Sequence, residues 1–206
     1  MLKIAFHKSY IHPLEENHRF PMIKYELIPE QLLIEKTCSE SNFFKPEIID
    51  TELVLKTHQE EYFNRLRGLK LSNKEVREIG FPLSKELVER ELIISQGTID
   101  CVHFSLKHGV SMNIAGGTHH AFYDRGEAFC MLNDQAIAAN YIIQEGLFKK
   151  ILIIDLDVHQ GNGTASLFSS NPNVYTLSFH GKKNYPFRKE KSDLDIEFED
   201  NTNDSE

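Results

Sequence analysis

The chain has 206 residues, of which 40% are hydrophobic and 26% are charged, and its formal net charge is −8. This composition is typical of a globular protein, and the length favours one domain over residues 1–206. The negative charge argues against direct binding of nucleic acid, and no apolar run reaches the roughly 20 residues that span a membrane.

The cysteines predict the compartment. Three are present, an odd number without paired spacing, which predicts reduced thiols and a cytoplasmic protein. The N-terminus also lacks the charged and then apolar pattern of a signal peptide. The three residues are Cys38, Cys101 and Cys130.

The first half of the chain is predicted to be mostly helical. Pro29 is expected to break the first helix, and His58 is expected to be a packing or surface residue. Ser72 and Gly80 have the character of a helix N-cap and a helix end. The predicted elements are a strand over residues 3–7 and helices over 21–35, 51–69, 72–80 and 84–108.

Strands and helices alternate in the second half. Asn133 or Asp134 is expected to cap a helix that Gly146 ends. The other predicted elements are strands over residues 110–114, 151–156 and 174–179 and a short helix over 164–168. Alternation of this kind predicts an α/β fold, a three-layer open parallel sheet with helices on both faces. Ligands in such folds bind at the carboxyl ends of the strands.

The most informative segment follows the strand over 151–156. Asp155, Asp157 and His159 start on one side of an extended chain, because side chains alternate in a strand. A carboxylate and an imidazole two residues apart can supply two ligands to zinc or a neighbouring divalent metal. The alternative is a strand that simply ends in polar residues. The cost of burying so much charge without compensation favours a metal site.

A second candidate segment contains two adjacent histidines. His119 and His120 follow a predicted strand and the turn at Gly116 and Gly117. Paired imidazoles suit general acid and base catalysis near neutral pH. Two surface histidines are the alternative, but the glycines before them and the segment 126–130 after them favour a functional site.

These segments together resemble a known family. Gly-Gly-Thr-His-His over 116–120, Asp-Arg-Gly-Glu-Ala-Phe-Cys over 124–130 and Asp-Leu-Asp-Val-His-Gln-Gly-Asn-Gly over 155–163 are similar to the histone deacetylase family. That family belongs to the arginase/deacetylase superfamily of metal-dependent amide hydrolases. The His-Gln-Gly-Asn-Gly form resembles the bacterial deacetylase-like proteins and the class IV branch. The resemblance covers the whole chain but only the first part of the family domain.

The resemblance implies a role for each motif residue. Asp157 and His159 would bind the metal, and His120 would be the general base for water at the metal. His119 would be its electrostatic partner or an acid, and Asp155 would orient His119.

Further positions differ from the family or carry weaker implications. Asn162 would stand behind His120 where other members have Asp, which removes a charge. Phe129 would line the acyl channel, and Ala128 occupies a position that is usually Gly. A monovalent cation, K⁺, would bind near backbone carbonyls and four side chains: Asp155, Asp157, His159 and Ser178.

The implied function is a metal-dependent deacylase that uses Zn²⁺ or Fe²⁺ to remove acyl groups from acyl-lysine or a small acetylated amine. The alternative is an inactive truncated remnant, because the family's third metal ligand and its oxyanion tyrosine lie in later motifs that this sequence lacks. An arginase-like ureohydrolase is disfavoured, since Gly161 occupies the position of the last Asp in its Asp-x-His-x-Asp pattern.

The sequence also predicts how an incomplete domain would behave. Residues 187–206 carry three basic and eight acidic side chains, and 181–206 are expected to form a poorly packed acidic tail. In the family fold, later strands insert between earlier ones. Exposed sheet edges are therefore expected, and with them oligomers or aggregation.

Overall fold

The strands pair exclusively in parallel within residues 1–203, which the computed structural model describes. They form two three-stranded sheets with the orders β2-β1-β3 and β4-β5-β6. The predicted α/β class is confirmed, although the parallel pairing is divided between two sheets. The strands are β1 (Lys3–Ala5), β2 (Phe43–Phe44), β3 (Ser111–Asn113), β4 (Ile151–Asp155), β5 (Val174–Gly181) and β6 (Leu194–Phe198).

Seven α-helices lie among the described residues, and local signals fix several of their ends. Ser72 and Glu75 form a capping box, and Gly80 adopts a left-handed conformation at the other end of the same helix. Ser84 caps the long helix that Gly109 closes. The helices are α1 (Lys24–Ile34), α2 (Thr51–Leu55), α3 (Glu60–Arg67), α4 (Asn73–Ile79), α5 (Lys85–His108), α6 (Asp134–Gln144) and α7 (Asn162–Phe168).

Two predictions about the helices were wrong. α1 continues through Pro29, so the loss of one backbone N–H does not end it. The stripe over 51–69 is divided into α2 and α3, because Gln59 is extended at the N-cap of α3. His58 lies at this break and is buried, as a packing residue.

The acidic C-terminal segment contains the last described strand. β6 pairs with β5, and Asp193 accepts hydrogen bonds from the N–H and the hydroxyl of Thr176 at 2.8 and 3.0 Å. Asp195 accepts a bond of 2.8 Å from the Gln160 side chain. Within the predicted acidic tail, these carboxylates therefore have hydrogen-bond partners, while most side chains of the segment remain exposed. Residues 204–206 lie outside the described part of the chain.

Two apolar clusters form the core. In the larger one, α5 packs against α3, α6 and the first sheet. The smaller one lies between α6, α7 and one face of the second sheet. The opposite face of that sheet is open, since Leu152 and Ile154 are 57% and 49% exposed. Within residues 1–203, no helix has the length and apolar content needed to cross a membrane.

Candidate active site

The loop that carries the two histidines is anchored by a carboxylate. Asp134, the first residue of α6, accepts hydrogen bonds from the N–H groups of Gly117 and Thr118 at 3.0 and 2.8 Å. A Cβ on Gly116 would lie 2.7 Å from the same carboxylate, so this position needs glycine. Asn133 is the cap of α6, which leaves Asp134 free to hold the loop. Either residue was expected from the sequence to cap α6. The contact of Asp134 with the histidine loop was not predicted.

His119 is paired with Asp155 at the end of β4. Nδ1 of His119 lies 2.5 Å from Oδ2 of Asp155, and both side chains are largely buried. The other oxygen, Oδ1, accepts the N–H of Asp157 at 3.0 Å. A Cβ on Gly161 would run into Oδ2 of Asp155. Position 161 therefore has no space for the last Asp of a ureohydrolase pattern.

His120 is paired with the first residue of α7. Its Nδ1 lies 2.7 Å from Oδ1 of Asn162, and its ring centre is 4.0 Å from that of His119. Burial and then the neighbouring His119 lower the pKa of His120 to about 4, although the bond to Asn162 opposes the shift. The ring is therefore neutral at pH 7 in this environment.

Asp157 and His159 meet on the same side of the chain. Oδ1 of Asp157 lies 2.8 Å from Nδ1 of His159, and both side chains are about half exposed. The ring of His159 lies 6.0 Å from that of His120. Burial raises the pKa of the Asp157 carboxyl. The N–H of His159 and the charges of His119 and His159 outweigh that effect, so the pKa lies below its ordinary value.

Carboxylate oxygen and imidazole nitrogen fit a zinc or iron ion in donor type. The number of donors does not fit, since Asp157 and His159 are two residues and a catalytic zinc site has three protein ligands. Within the described residues, no group of three His, Cys, Asp or Glu side chains could hold a metal ion. Among the described residues, Asp157 and His159 could therefore supply two donors to a metal ion but not the third.

Ala128 and Phe129 form a strained turn beside the histidines. Their φ angles are 42° and 69°, in the left-handed region that costs non-glycine residues energy. Their N–H groups donate to the last carbonyls of α4, those of Glu78 and Ile79. The Phe129 ring packs at 5.0 Å from that of Phe81.

Glu127 and Tyr185 also contact the residues of this site, and the sequence motifs predicted a role for neither. The Tyr185 hydroxyl donates to Oε2 of Glu127 at 2.9 Å, and the Tyr185 ring lies edge-on, 5.0 Å from His120. Burial and the Glu127 charge raise the pKa of the Tyr185 hydroxyl. The two residues are far apart in sequence, and no local pattern marks their contact.

One open cavity of about 590 Å³ is bordered by seven of these residues: His119, His120, Ala128, Phe129, Asp157, His159 and Tyr185. Its lining contains cationic side chains together with the two histidines, Asp157 and His159. Ser178, the remaining predicted residue, is the register partner of Asp155 in β5, and its hydroxyl is bonded to His180 at 3.0 Å. The cavity is lined by residues that include Arg19, Lys24, Arg90, Phe129 and Tyr185.

Comparison with proteins of known sequence shows the relatives of this chain. It is 42% identical over 193 residues to an uncharacterised protein of Picosynechococcus sp., covering 94% of this chain and 64% of that protein. It is 29% identical over 182 residues to the acetoin utilization protein AcuC of Bacillus subtilis. This match covers 84% of this chain and 47% of AcuC. The chain thus spans about half to two thirds of the length of these relatives.

Solved structures show the same fold. A histone deacetylase homologue of Aquifex aeolicus superposes with a TM-score of 0.79 at 24% identity, over 96% of this chain and 59% of that one. A histone deacetylase homologue complexed with SAHA superposes with a TM-score of 0.78 at 27% identity. This superposition covers 95% of this chain and 58% of the homologue. The model of the histone deacetylase domain matches residues 12–203. This chain therefore belongs to the histone deacetylase family.

Proposed function

We propose that the site serves metal-dependent amide hydrolysis, the removal of an acyl group from acyl-lysine or a small acetylated amine. The observation that supports this most is the meeting of His120, Asp157 and His159 at one cavity. The family assignment and the likeness to a homologue complexed with SAHA support the same class of reaction.

His120 is the proposed general base. Its Nδ1 faces the Asn162 oxygen, so Nδ1 carries the proton and Nε2 remains to accept one from water. His119, held by Asp155, would stabilise negative charge that develops beside it or return a proton to the leaving amine. A zinc or ferrous ion held by Asp157, His159 and a third donor would polarise the amide carbonyl and acidify water.

Two finer assignments complete the proposal. Phe129 and Ala128 would line the acyl channel, because Phe129 borders the cavity within an aromatic cluster. A potassium ion would bind near Asp155 and Ser178, which β4 and β5 place side by side, with Asp157 and His159 following. The experiment for this ion is replacement of K⁺ by Na⁺ during thermal unfolding, with a lower midpoint expected in Na⁺.

The incomplete donor set supports a second candidate, a protein that keeps the fold without catalysis. One experiment separates the two: metal analysis of the purified chain together with hydrolysis of a fluorogenic acetyl-lysine substrate. Turnover that chelation and His120→Ala abolish, and that His108→Ala at the C-terminal end of α5 retains, supports the hydrolase. Absence of both bound metal and turnover supports the second candidate.

A further inference from the structure

A carboxylate lies behind the amide that supports the proposed base. Oε2 of Glu127 accepts a hydrogen bond from Nδ2 of Asn162 at 3.3 Å, and Oδ1 of the same amide faces Nδ1 of His120 at 2.7 Å. We propose that Glu127 is a positioning residue, which orients the Asn162 amide and thereby fixes the tautomer of His120. The effect of Glu127 on catalysis rests on the function proposed above, whereas its effect on the orientation of Asn162 does not.

The amide needs such a partner because its two ends differ in chemistry but hardly in shape. An Asn side chain turned by half a revolution presents NH₂ where its oxygen was. Nδ1 of His120 would then have to accept, and the ring proton would move to Nε2, the atom that must remain free to act as a base. An aspartate at position 162 would accept from Nδ1 with either oxygen, so the problem is specific to Asn162.

Glu127 removes this ambiguity because an ionised carboxylate only accepts hydrogen bonds. The amide end that faces it must be Nδ2, so the end that faces His120 must be Oδ1. Oδ1 accepts from Nδ1–H, and Nε2 is left with its lone pair. The carboxylate also places a negative charge one amide away from His120.

Glu127 is itself held in place from two sides. Nε of Arg125 donates to Oε1 at 2.9 Å, and the Tyr185 hydroxyl donates to Oε2 at 2.9 Å. Its backbone N–H donates to the Cys130 carbonyl at 3.0 Å. Every partner of the carboxylate is a donor, so a neutral amide at position 127 cannot satisfy them all. In Glu127→Gln, we expect the amide oxygen to stay with Arg125, which can only donate, so the NH₂ group faces Asn162 and Tyr185.

The test reads the tautomer directly, by long-range ¹H–¹⁵N spectra of the chain with ¹⁵N-labelled histidine. In the unsubstituted protein, the His120 signals should show a protonated Nδ1 and an unprotonated Nε2. In Glu127→Gln, these two signatures should exchange between the nitrogens. In Glu127→Gln combined with Asn162→Asp, the original pattern should return, since a carboxylate at 162 needs no orientation.

Two references make the result decisive. His58 is buried and bonded through both ring nitrogens, so its unchanged signals report that each variant is folded. Asp124→Asn is the matched control, because Asp124 also contacts Arg125, at 3.3 Å, but is not bonded to Asn162, and it should leave His120 unchanged. A His120 tautomer that persists in folded Glu127→Gln overturns the proposal. A folded double variant that fails to restore the tautomer does the same.

Activity supplies an independent measurement. Glu127→Gln should lower kcat by about tenfold or more with little change in KM, and the same substitution in an Asn162→Asp background should cause no loss. An equal loss in both backgrounds contradicts the positioning role. A chain without any turnover counts against the proposed hydrolase, and the spectra then decide the role of Glu127 alone.

Discussion

Nδ1 of His119 and Oδ2 of Asp155 lie 2.5 Å apart, an imidazole–carboxylate pair that is largely buried at the end of β4. The neighbouring histidine, His120, has the uncharged amide of Asn162 in the equivalent place, at 2.7 Å. The two imidazoles therefore differ in electrostatic support although their rings are adjacent. His119 has a carboxylate beside it, whereas burial lowers the pKa of His120 and leaves that ring neutral and suited to accept a proton.

The first prediction concerns that carboxylate. In Asp155→Asn, the remaining oxygen is needed by the Asp157 N–H, so NH₂ would face His119 and the charged support would be lost. We expect metal affinity or kcat/KM to fall by about 10–100-fold. Isothermal titration with Zn²⁺ and initial rates measure the two quantities. Asp200→Asn at an exposed site is the control, and equal values for the two variants would contradict this role of Asp155.

The second prediction concerns the glycine beside the same pair. Gly161→Ala would direct a methyl group at Oδ2 of Asp155, which must move away from His119. We expect the chemical shift of the His119 Nδ1–H proton to move away from the value typical of a strong hydrogen bond. We also expect the unfolding midpoint to fall. An alanine that leaves both quantities unchanged would show that the loop accommodates a side chain at 161.

The third prediction is a dependence of stability on pH. Nδ1 of His58 donates to the Phe122 carbonyl at 2.8 Å, and Nε2 accepts the Asn133 N–H at 2.9 Å, so the buried ring must be neutral. Burial lowers its pKa to about 4. Because histidine in the unfolded chain titrates near pH 6.5, this contribution to stability is complete above that pH and is lost as the pH falls towards 4.

The size of that loss is about 2 kcal/mol between about pH 7 and pH 5. Urea unfolding at both pH values should therefore show a steeper decline for the unsubstituted chain than for His58→Gln, which does not titrate. His120 contributes in the same direction to both proteins, so the difference isolates His58. Parallel declines would show that His58 is not held neutral.

The fourth prediction concerns the strained turn. Ala128 has a φ angle of 42°, where glycine has no steric cost. Ala128→Gly should raise the free energy of unfolding by up to about 1 kcal/mol, after the greater entropy of glycine in the unfolded chain is subtracted. The same change at Ala138, inside α6, should lower it by at least about 1 kcal/mol. Equal signs at the two positions would contradict strain at 128.

Short-range signals made part of this fold predictable from sequence. The ends of α4 and α5 follow from Ser72, Gly80, Ser84 and Gly109, whose capping geometry depends on neighbours within one turn. β2 and β6 were missed for the opposite reason. β2 consists of two phenylalanines, and β6 consists of five residues in an acidic stretch. Each is a strand only because it pairs with the edge of a neighbouring strand, β1 or β5.

The candidate site shows the same division. The histidine pair and the Asp-x-Asp-x-His segment were recognised because each lies in a short motif. Glu127 and Tyr185 meet across 58 positions, and Asp134 reaches Thr118 across 16. Such contacts depend on how the loops fold over one another, which neither composition nor periodicity records.

The last prediction concerns the open face of the second sheet. Leu152 and Ile154 point away from α6 and α7, and β4 is an edge of its sheet among residues 1–203. Exposed apolar side chains beside unpaired backbone groups favour self-association. Sedimentation velocity should therefore show concentration-dependent oligomers, which Leu152→Thr with Ile154→Thr reduces, since threonine is polar and still favours a strand. Ile48→Thr, at a loop residue of similar exposure, should have no effect, whereas a dilute unsubstituted monomer with a sharp thermal transition would contradict the prediction.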